Sequence, residues 1–333
     1  MEKPRILQIL SMYHPNGEKI LQQNAEVIRT DQYDIACLCE LVKNVQGIVL
    51  RAPAKVTKKI IDAGPNLKVI SGAGVGLDNI DVEYATTKGI PVLHAPAVNK
   101  TSTAEHAVML ILALAKSVLP FHEQLKNGHY DARISILSRE VKGKKVGLIG
   151  FGNIAQEVAK ILKMGFEMDV TAWVRTYKSE KHQLAHQMGI HIHTNIEEVF
   201  KDSDFISIHL PLTDETRMLI DQKLLSIMKP SAYLINTARG AIIHQEDLYN
   251  ALKNGKIRGA GLDVFDPEPP DQHLPLLRLP NVIVTPHVAG TTVESNQIMA
   301  STVAENVLKI LQGKPSQYIA NPEVLKNETS IGE

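Results

Sequence analysis

Lys144-Lys145-Val146-Gly147-Leu148-Ile149 runs directly into Gly150-Phe151-Gly152-Asn153-Ile154-Ala155. Residues 144–149 read as a buried strand, and residues 156–163 read as a helix. A G-x-G-x-x-A stretch therefore sits at a strand-to-helix junction. Gly150 permits the tight turn. Gly152 lets the backbone approach a pyrophosphate, which would rest on the free N–H groups of the helix N-terminus, with Asn153 and Ile154 among the cofactor-binding residues. Ala155 replaces a third glycine and is small enough for close helix–strand packing. A glycine triplet alone is weak evidence. Between a strand and a helix it predicts a dinucleotide site.

The same alternation extends in both directions. Short β-branched runs are separated by helical patterns, which predicts parallel sheets covered by helices. Toward the N-terminus, strands are expected at residues 6–10, 35–39, 47–50, 67–71 and 91–93, with helices at 18–29 and 56–62 among them. Toward the C-terminus they are expected at 146–149, 170–174, 205–209, 232–236, 261–264 and 282–285. A helix is expected over Val293–Leu311, stopped by Gly313-Lys314-Pro315. A long helix is expected over residues 102–127, with Thr101 or Ser102 as N-cap and Glu105 at capping-box spacing from Ser102. Residues 107–115 are apolar without interruption, so this helix should be buried on every side, between domains or subunits. The run is far short of the roughly 20 residues that span a bilayer.

At 333 residues the chain has material for about two domains. Lys and Arg total 36 and so do Asp and Glu, which argues against a nucleic-acid binder. Cys37 and Cys39 cannot build a disulfide framework. Their spacing puts both on one buried face of a strand, and a reducing, cytoplasmic setting fits. Met1-Glu2-Lys3-Pro4-Arg5 carries no apolar run of signal-peptide type. Asn327-Glu328-Thr329 is a glycosylation sequon without meaning unless the chain is secreted. His191-Ile192-His193 has no third partner for a metal, and no metal site is expected.

The second strand of the glycine-loop series ends Val170-Thr171-Ala172-Trp173-Val174-Arg175-Thr176. An NAD site usually places an acid here for the ribose hydroxyls. None occurs between Val170 and Ser179. Val174 removes a source of repulsion, and Arg175, with Thr176 and Lys178 nearby, can grip a 2′-phosphate. The residues favour NADP over NAD.

Three further strands deliver ionisable residues to one rim. Asn236-Thr237-Ala238-Arg239-Gly240 follows the first, Asp263-Val264-Phe265-Asp266-Pro267-Glu268-Pro269 the second, and Thr285-Pro286-His287-Val288-Ala289-Gly290 the third. Open α/β sheets bind ligands at the carboxyl ends of their strands. With the glycine loop, these segments resemble the D-2-hydroxyacid dehydrogenase family, the group of phosphoglycerate dehydrogenase and glyoxylate/hydroxypyruvate reductase. Ser71-Gly72-Ala73-Gly74-Val75-Gly76-Leu77, Ala104-Glu105-His106 and His209-Leu210-Pro211-Leu212-Thr213 with Thr216 extend the resemblance over essentially the whole chain.

The resemblance implies an α/β fold of two Rossmann-like parallel-sheet domains with a cleft between them. A flavodoxin-like substrate domain would comprise residues 1–100 and 289–333, and a doubly wound dinucleotide-binding domain residues 101–288. It also implies a homodimer built largely on the cofactor domains. The implied reaction is hydride transfer between a nicotinamide cofactor and a small 2-keto or 2-hydroxy acid, with no nucleic acid or membrane partner. His287 would be the proton donor, Glu268 its partner, and Arg239 the cation holding the substrate carboxylate and carbonyl oxygen. Gly74, Val75 and Gly76 would hold the carboxylate through backbone N–H groups. Arg51 either helps hold the anion or forms a structural salt bridge. His209, Pro211, Thr216, Thr237, Ala238 and Asp263 fall in cofactor-contacting segments, Asp263 toward the nicotinamide carboxamide. Three other readings use the same framework: an NAD(H)-sensing corepressor-like protein, a phosphite-type dehydrogenase with the same triad, and formate dehydrogenase. Against the last, its branch resembles a Gln where this chain has Glu268.

Overall fold

The computed structural model describes residues 2–74, 76–176, 178–316 and 318–325. The chain separates into two units. Met1–Asn99 joins Thr291–Glu333 in one, and Lys100–Gly290 forms the other.

In the first unit, β1 (Arg5–Ile9), β2 (Glu26–Thr30), β3 (Gly47–Leu50), β4 (Val69–Gly72) and β5 (Val92–Leu93) form a parallel sheet in the order β2-β1-β3-β4-β5. This is the flavodoxin-like order, with its switch point between β1 and β3. Every residue of β3 and β4 is buried, as parallel strands covered on both faces require. One face carries Leu7, Ile48, Leu50 and Ile70 against Leu38, Ile60 and Ile61. The other carries Ile6, Val49, Val69 and Leu93 against Met299, Ala300, Val303 and Val307 of the helix Val293–Leu311. That helix opens with a reciprocal cap between Thr292 and Ser295 and ends before Gly313, whose φ is +68°. Beyond it the chain returns to the sheet. The buried Asn321 side chain accepts from Val92 N at 2.8 Å and donates to Ile90 O at 3.0 Å, covering the β5 edge.

Two N-terminal expectations are corrected. Residues 35–39 are helical, within Ile35–Leu41, because the Asp34 side chain caps the Cys37 N–H at 2.9 Å. An N-cap carboxylate of this kind settles a short apolar run that either period could claim. Cys37 and Cys39 are accordingly only partly buried. The second strand comes earlier, at Glu26–Thr30, where a helix tail was expected. The helix Pro15–Asn24 stops at the extended Ala25, and Glu26 pairs with Arg5 across β1 and β2. The sequon 327–329 lies outside the described residues.

The second unit contains β6 (Lys145–Ile149), β7 (Asp169–Trp173), β8 (His191–His193), β9 (Phe205–Ile208), β10 (Tyr233–Asn236), β11 (Gly259–Leu262) and β12 (Val282–Val284). They are all parallel, in the order β12-β11-β10-β9-β6-β7-β8. This is the doubly wound fold, and its order reverses between β6 and β9. The expected long helix is two helices, Lys100–Ala115 and Val118–Lys126, bent by 60°. Ser117 between them takes φ +51°. Pro120, in the first turn of the second helix, has no N–H to give Lys116 and would crowd its carbonyl. The first helix starts at Lys100, ahead of both residues expected to cap it.

That helix is not buried on every side. Leu110 and Ile111 are fully buried, whereas Met109 is 42% exposed. Met109, Leu112, Ala113, Val118 and Ile161 line an apolar groove of about 440 Å³. Among the described residues no single helix is long and apolar enough to cross a membrane.

Candidate active site

The glycine loop lies at the switch point of the second unit. Gly150 follows β6 with φ +102°, a conformation that side chains disfavour. A Cβ there would lie 2.4 Å from His209 O, which follows β9. Gly152 is the N-cap of the helix Asn153–Lys160, without a side-chain cap, and nothing lies within 4 Å of where its Cβ would be. The first N–H groups of the helix, at Asn153 and Ile154, are thus approachable, as a pyrophosphate requires. Thr237, just past β10, has a buried hydroxyl without a partner among the described residues. An approachable helix N-terminus and an orphaned hydroxyl at the same sheet edge fit a dinucleotide.

The other expected cofactor residues divide into two kinds. Thr216 is buried and pins its own loop. Its hydroxyl donates to Pro211 O at 2.7 Å and accepts from Thr213 N at 2.7 Å. Ala238 N donates to Asn236 Oδ1 at 3.0 Å, fixing the turn that carries Arg239. His209 contacts Ser207 Oγ at 2.9 Å, and burial pushes its imidazole down to about 4, so it is neutral near pH 7. Val174 is buried in the apolar cluster with Val146 and Ala172. Arg175 and Thr176 are exposed at the β7 end. The sequence reading missed Arg175's partner. Glu215, from the loop after β9, lies 3.4 Å from the guanidinium. The hydrogen bond from the Thr213 hydroxyl, a backbone hydrogen bond, and the charge and hydrogen bond of Arg175 hold the Glu215 carboxyl below its ordinary value.

Arg239, Glu268 and His287 come together at the carboxyl ends of β10, β11 and β12. His287 Nδ1 lies 2.7 Å from Glu268 Oε2. Nδ1–H donates to the carboxylate, which leaves Nε2 as the free working nitrogen. Glu268 Oε1 accepts from Phe265 N at 3.0 Å, which fixes the carboxylate. The hydrogen bond and charge of Glu268 raise the His287 pKa, against burial and the Arg239 charge. Burial pushes the Glu268 carboxyl up. Bonds from His287 and Phe265, and the charges of His287 and Arg239, outweigh it and leave the carboxyl lowered. Arg239 also donates from Nη1 to Ala238 O at 2.8 Å. Glu268→Gln should therefore let the His287 pKa fall, so that any step needing the imidazolium fades at a lower pH than in wild type. A pH–rate curve that does not move would dissolve the pairing.

The His287 backbone is held as firmly as its ring. Its φ of +54° is costly for a side-chain-bearing residue, about 1–2 kcal/mol. Asp263, one residue past β11, holds this conformation. Its carbonyl accepts from His287 N at 2.7 Å, and its carboxylate oxygens accept from Val288 N at 2.9 Å and Ala289 N at 2.8 Å. Asp263 is fully buried. The resemblance aims it at a nicotinamide carboxamide, and its observed bonds also build the loop that presents His287.

In the first unit, Arg51 follows β3. Its guanidinium carbon lies 5.5 Å over the Tyr13 ring, and its buried Nε has no partner among the described residues. No carboxylate among those residues forms the alternative salt bridge. Gly74 follows β4 and Gly76 lies just beyond, whereas Val75 lies outside the described residues.

A doubly wound unit with a glycine loop at its switch point and an imidazole–carboxylate pair on the same edge defines a dinucleotide-dependent dehydrogenase. The family profile described as D-isomer specific 2-hydroxyacid dehydrogenase, NAD binding domain, matches residues 108–289. The chain belongs to that family. It is 40% identical over 308 residues to D-3-phosphoglycerate dehydrogenase of Methanocaldococcus jannaschii, covering 92% of this chain and 58% of that one. It is 36% identical to glyoxylate reductase of Pyrococcus furiosus, covering 97% of both. An NADPH-dependent glyoxylate/hydroxypyruvate reductase of Sinorhizobium meliloti, solved with NADP and malonate, superposes with TM-score 0.86 at 28% identity. That match covers 96% of this chain and 97% of the other.

Proposed function

We propose that the protein is a glyoxylate/hydroxypyruvate-type reductase. It reduces small 2-keto acids to D-2-hydroxy acids, and catalyses the reverse, with NADPH preferred. The 2.7 Å His287–Glu268 pair beside Arg239 carries this reading. A nicotinamide dinucleotide bound at the glycine loop would supply the hydride. Negative charge then grows on the substrate carbonyl oxygen. His287 Nε2 donates a proton there as the imidazolium, which Glu268 favours. Arg239, permanently charged, holds the substrate carboxylate and steadies the developing oxyanion. In oxidation the neutral imidazole takes the proton back. A panel of glyoxylate, hydroxypyruvate and 2-ketogluconate, assayed with NADPH and NADH, tests the reading. If no substrate drives cofactor oxidation while cofactor still binds, the reductase reading fails, and the nucleotide-sensor and phosphite-type alternatives remain.

The NADPH preference rests on Arg175. Arg175→Ala should raise the KM for NADPH roughly tenfold, the worth of a charge-assisted bond, and barely change that for NADH. Glu215 sets a limit on this preference, because it neutralises the guanidinium that a 2′-phosphate needs. Glu215→Gln should lower the KM for NADPH roughly two- to fivefold, as expected for an exposed pair. A wild-type KM for NADH equal to or below that for NADPH would overturn the assignment.

The apolar groove along Lys100–Ala115 supports the implied homodimer. Met109 is 42% exposed, Val118 48% and Leu119 43%. Exposed apolar side chains of this kind, in a groove that Glu105 and Lys116 also line, are what a subunit interface leaves open on one protomer. Sedimentation at the mass of one chain would contradict it.

A further inference from the structure

We propose that His106 is a positioning residue for His287, acting through Thr285 and Asp263. The inference rests on the reading of His287 as proton donor. His106 lies on the helix Lys100–Ala115, and its Nε2 is 3.0 Å from Thr285 Oγ1. Thr285 Oγ1 in turn donates to Asp263 Oδ1 at 2.5 Å. Asp263 accepts from the three consecutive N–H groups of His287, Val288 and Ala289, the first through its carbonyl and the others through its carboxylate. One chain of hydrogen bonds thus runs from the helix to the backbone of the proton donor.

Proton counting fixes the direction of this chain. A threonine hydroxyl has one hydrogen. That hydrogen goes to Asp263, so Thr285 Oγ1 must accept from His106, and the His106 proton sits on Nε2. Burial lowers the His106 pKa, against the Asp263 charge 3.7 Å away, and the proton on Nε2 is present in either charge state of the ring. The ring therefore acts on Thr285 as a hydrogen-bond donor. The donor is anchored independently of the loop. Leu110, one turn further along the helix, packs on Gly261 of β11, where a Cβ would lie 3.0 Å from the Leu110 Cβ. The Thr285 rotamer, and with it the geometry of the Asp263 carboxylate, is thereby referred to the core. A residue held at φ +54° persists only where its surroundings over-determine it. Small displacements of a proton donor cost rate steeply.

The test compares His106→Leu, His106→Gln and Thr285→Val. It uses two readouts, the NMR titration of the His287 ring in the cofactor-free protein and the pH dependence of kcat. His106→Leu should lower the His287 midpoint toward that of an unpaired histidine, as the ring loosens from Glu268. It should also reduce kcat roughly tenfold and leave NADPH binding unchanged. His106→Gln, which keeps an N–H donor, should recover most of both. Thr285→Val, close to isosteric, should reproduce the loss, and it carries the test alone if His106→Leu does not fold. An unmoved His287 titration in a folded His106→Leu or Thr285→Val protein would overturn the proposal. So would equal losses in the Leu and Gln variants. If the wild type turns over no 2-keto acid, the functional reading fails, while the titration still decides whether His106 positions His287.

Discussion

His287→Ala should reduce the kcat for 2-keto acid reduction by about 10²- to 10⁴-fold, the usual contribution of a general acid. Cofactor affinity should stay close to wild type, because the glycine loop and Thr237 lie on other strands of the sheet. The residual kcat should also be nearly independent of pH, since the group whose titration shapes the profile is gone, so the fold-loss is largest at low pH. Wild-type kcat in this variant, with a correctly folded protein, would remove His287 from the chemistry. Weak turnover that keeps the wild-type pH dependence would move the proton-donor role to another group.

Gly240→Ala should be nearly as damaging for a different reason. Gly240 follows Arg239, and a Cβ at its position would lie 2.0 Å from the Phe265 carbonyl carbon and 2.1 Å from its oxygen. Those are backbone atoms, so no side chain can swing aside. Phe265 N is also the donor that fixes Glu268. The methyl group would push apart the two turns that bring Arg239 beside the Glu268–His287 pair. Overpacking of this severity costs about 3 kcal/mol or more, a Tm loss on the order of 10 °C for a domain of this size. Activity should fall nearly as far as in His287→Ala. A Gly240→Ala protein with wild-type Tm and kcat would show that the two turns are not tightly coupled.

The sequence exposed most of the second unit because its signals are local. The glycine loop sits between a strand and a helix and needs no distant partner to be recognised. Arg239, Glu268 and His287 each follow a strand, and parallel strands bring such positions to one edge whatever their separation. Glu215 was not legible. It meets Arg175 across 40 positions of chain, and nothing in the 170–179 stretch signals a carboxylate from another loop. The role of Asp263 was hidden in the same way, since its partners at 288 and 289 depend on how two strand ends are placed. In the first unit, residues 26–30 and 35–39 are runs of five, too short for either period to establish itself. An N-cap at Asp34 and a neighbour at Arg5 decided them. The break at Ser117 was not legible, because Pro120 is tolerated in a first helical turn and so marks a new helix only when the previous one is known to end.

The first unit is made from both ends of the chain, and this has a consequence during synthesis. All five of its strands have been translated once Leu93 is made. The face bearing Ile6, Val49, Val69 and Leu93 is covered by the helix Val293–Leu311. The ribosome must therefore add some two hundred further residues before that covering exists. At about 5–20 residues per second this takes on the order of 10 to 40 s. Throughout that interval this aliphatic face has only Leu21 of the helix Pro15–Asn24 and its neighbours Met12 and Ala25 against it, while the continuous second unit emerges and can close on itself. The unit begun first is thus the one whose core is completed last, and its incomplete sheet is the surface exposed to aggregation meanwhile.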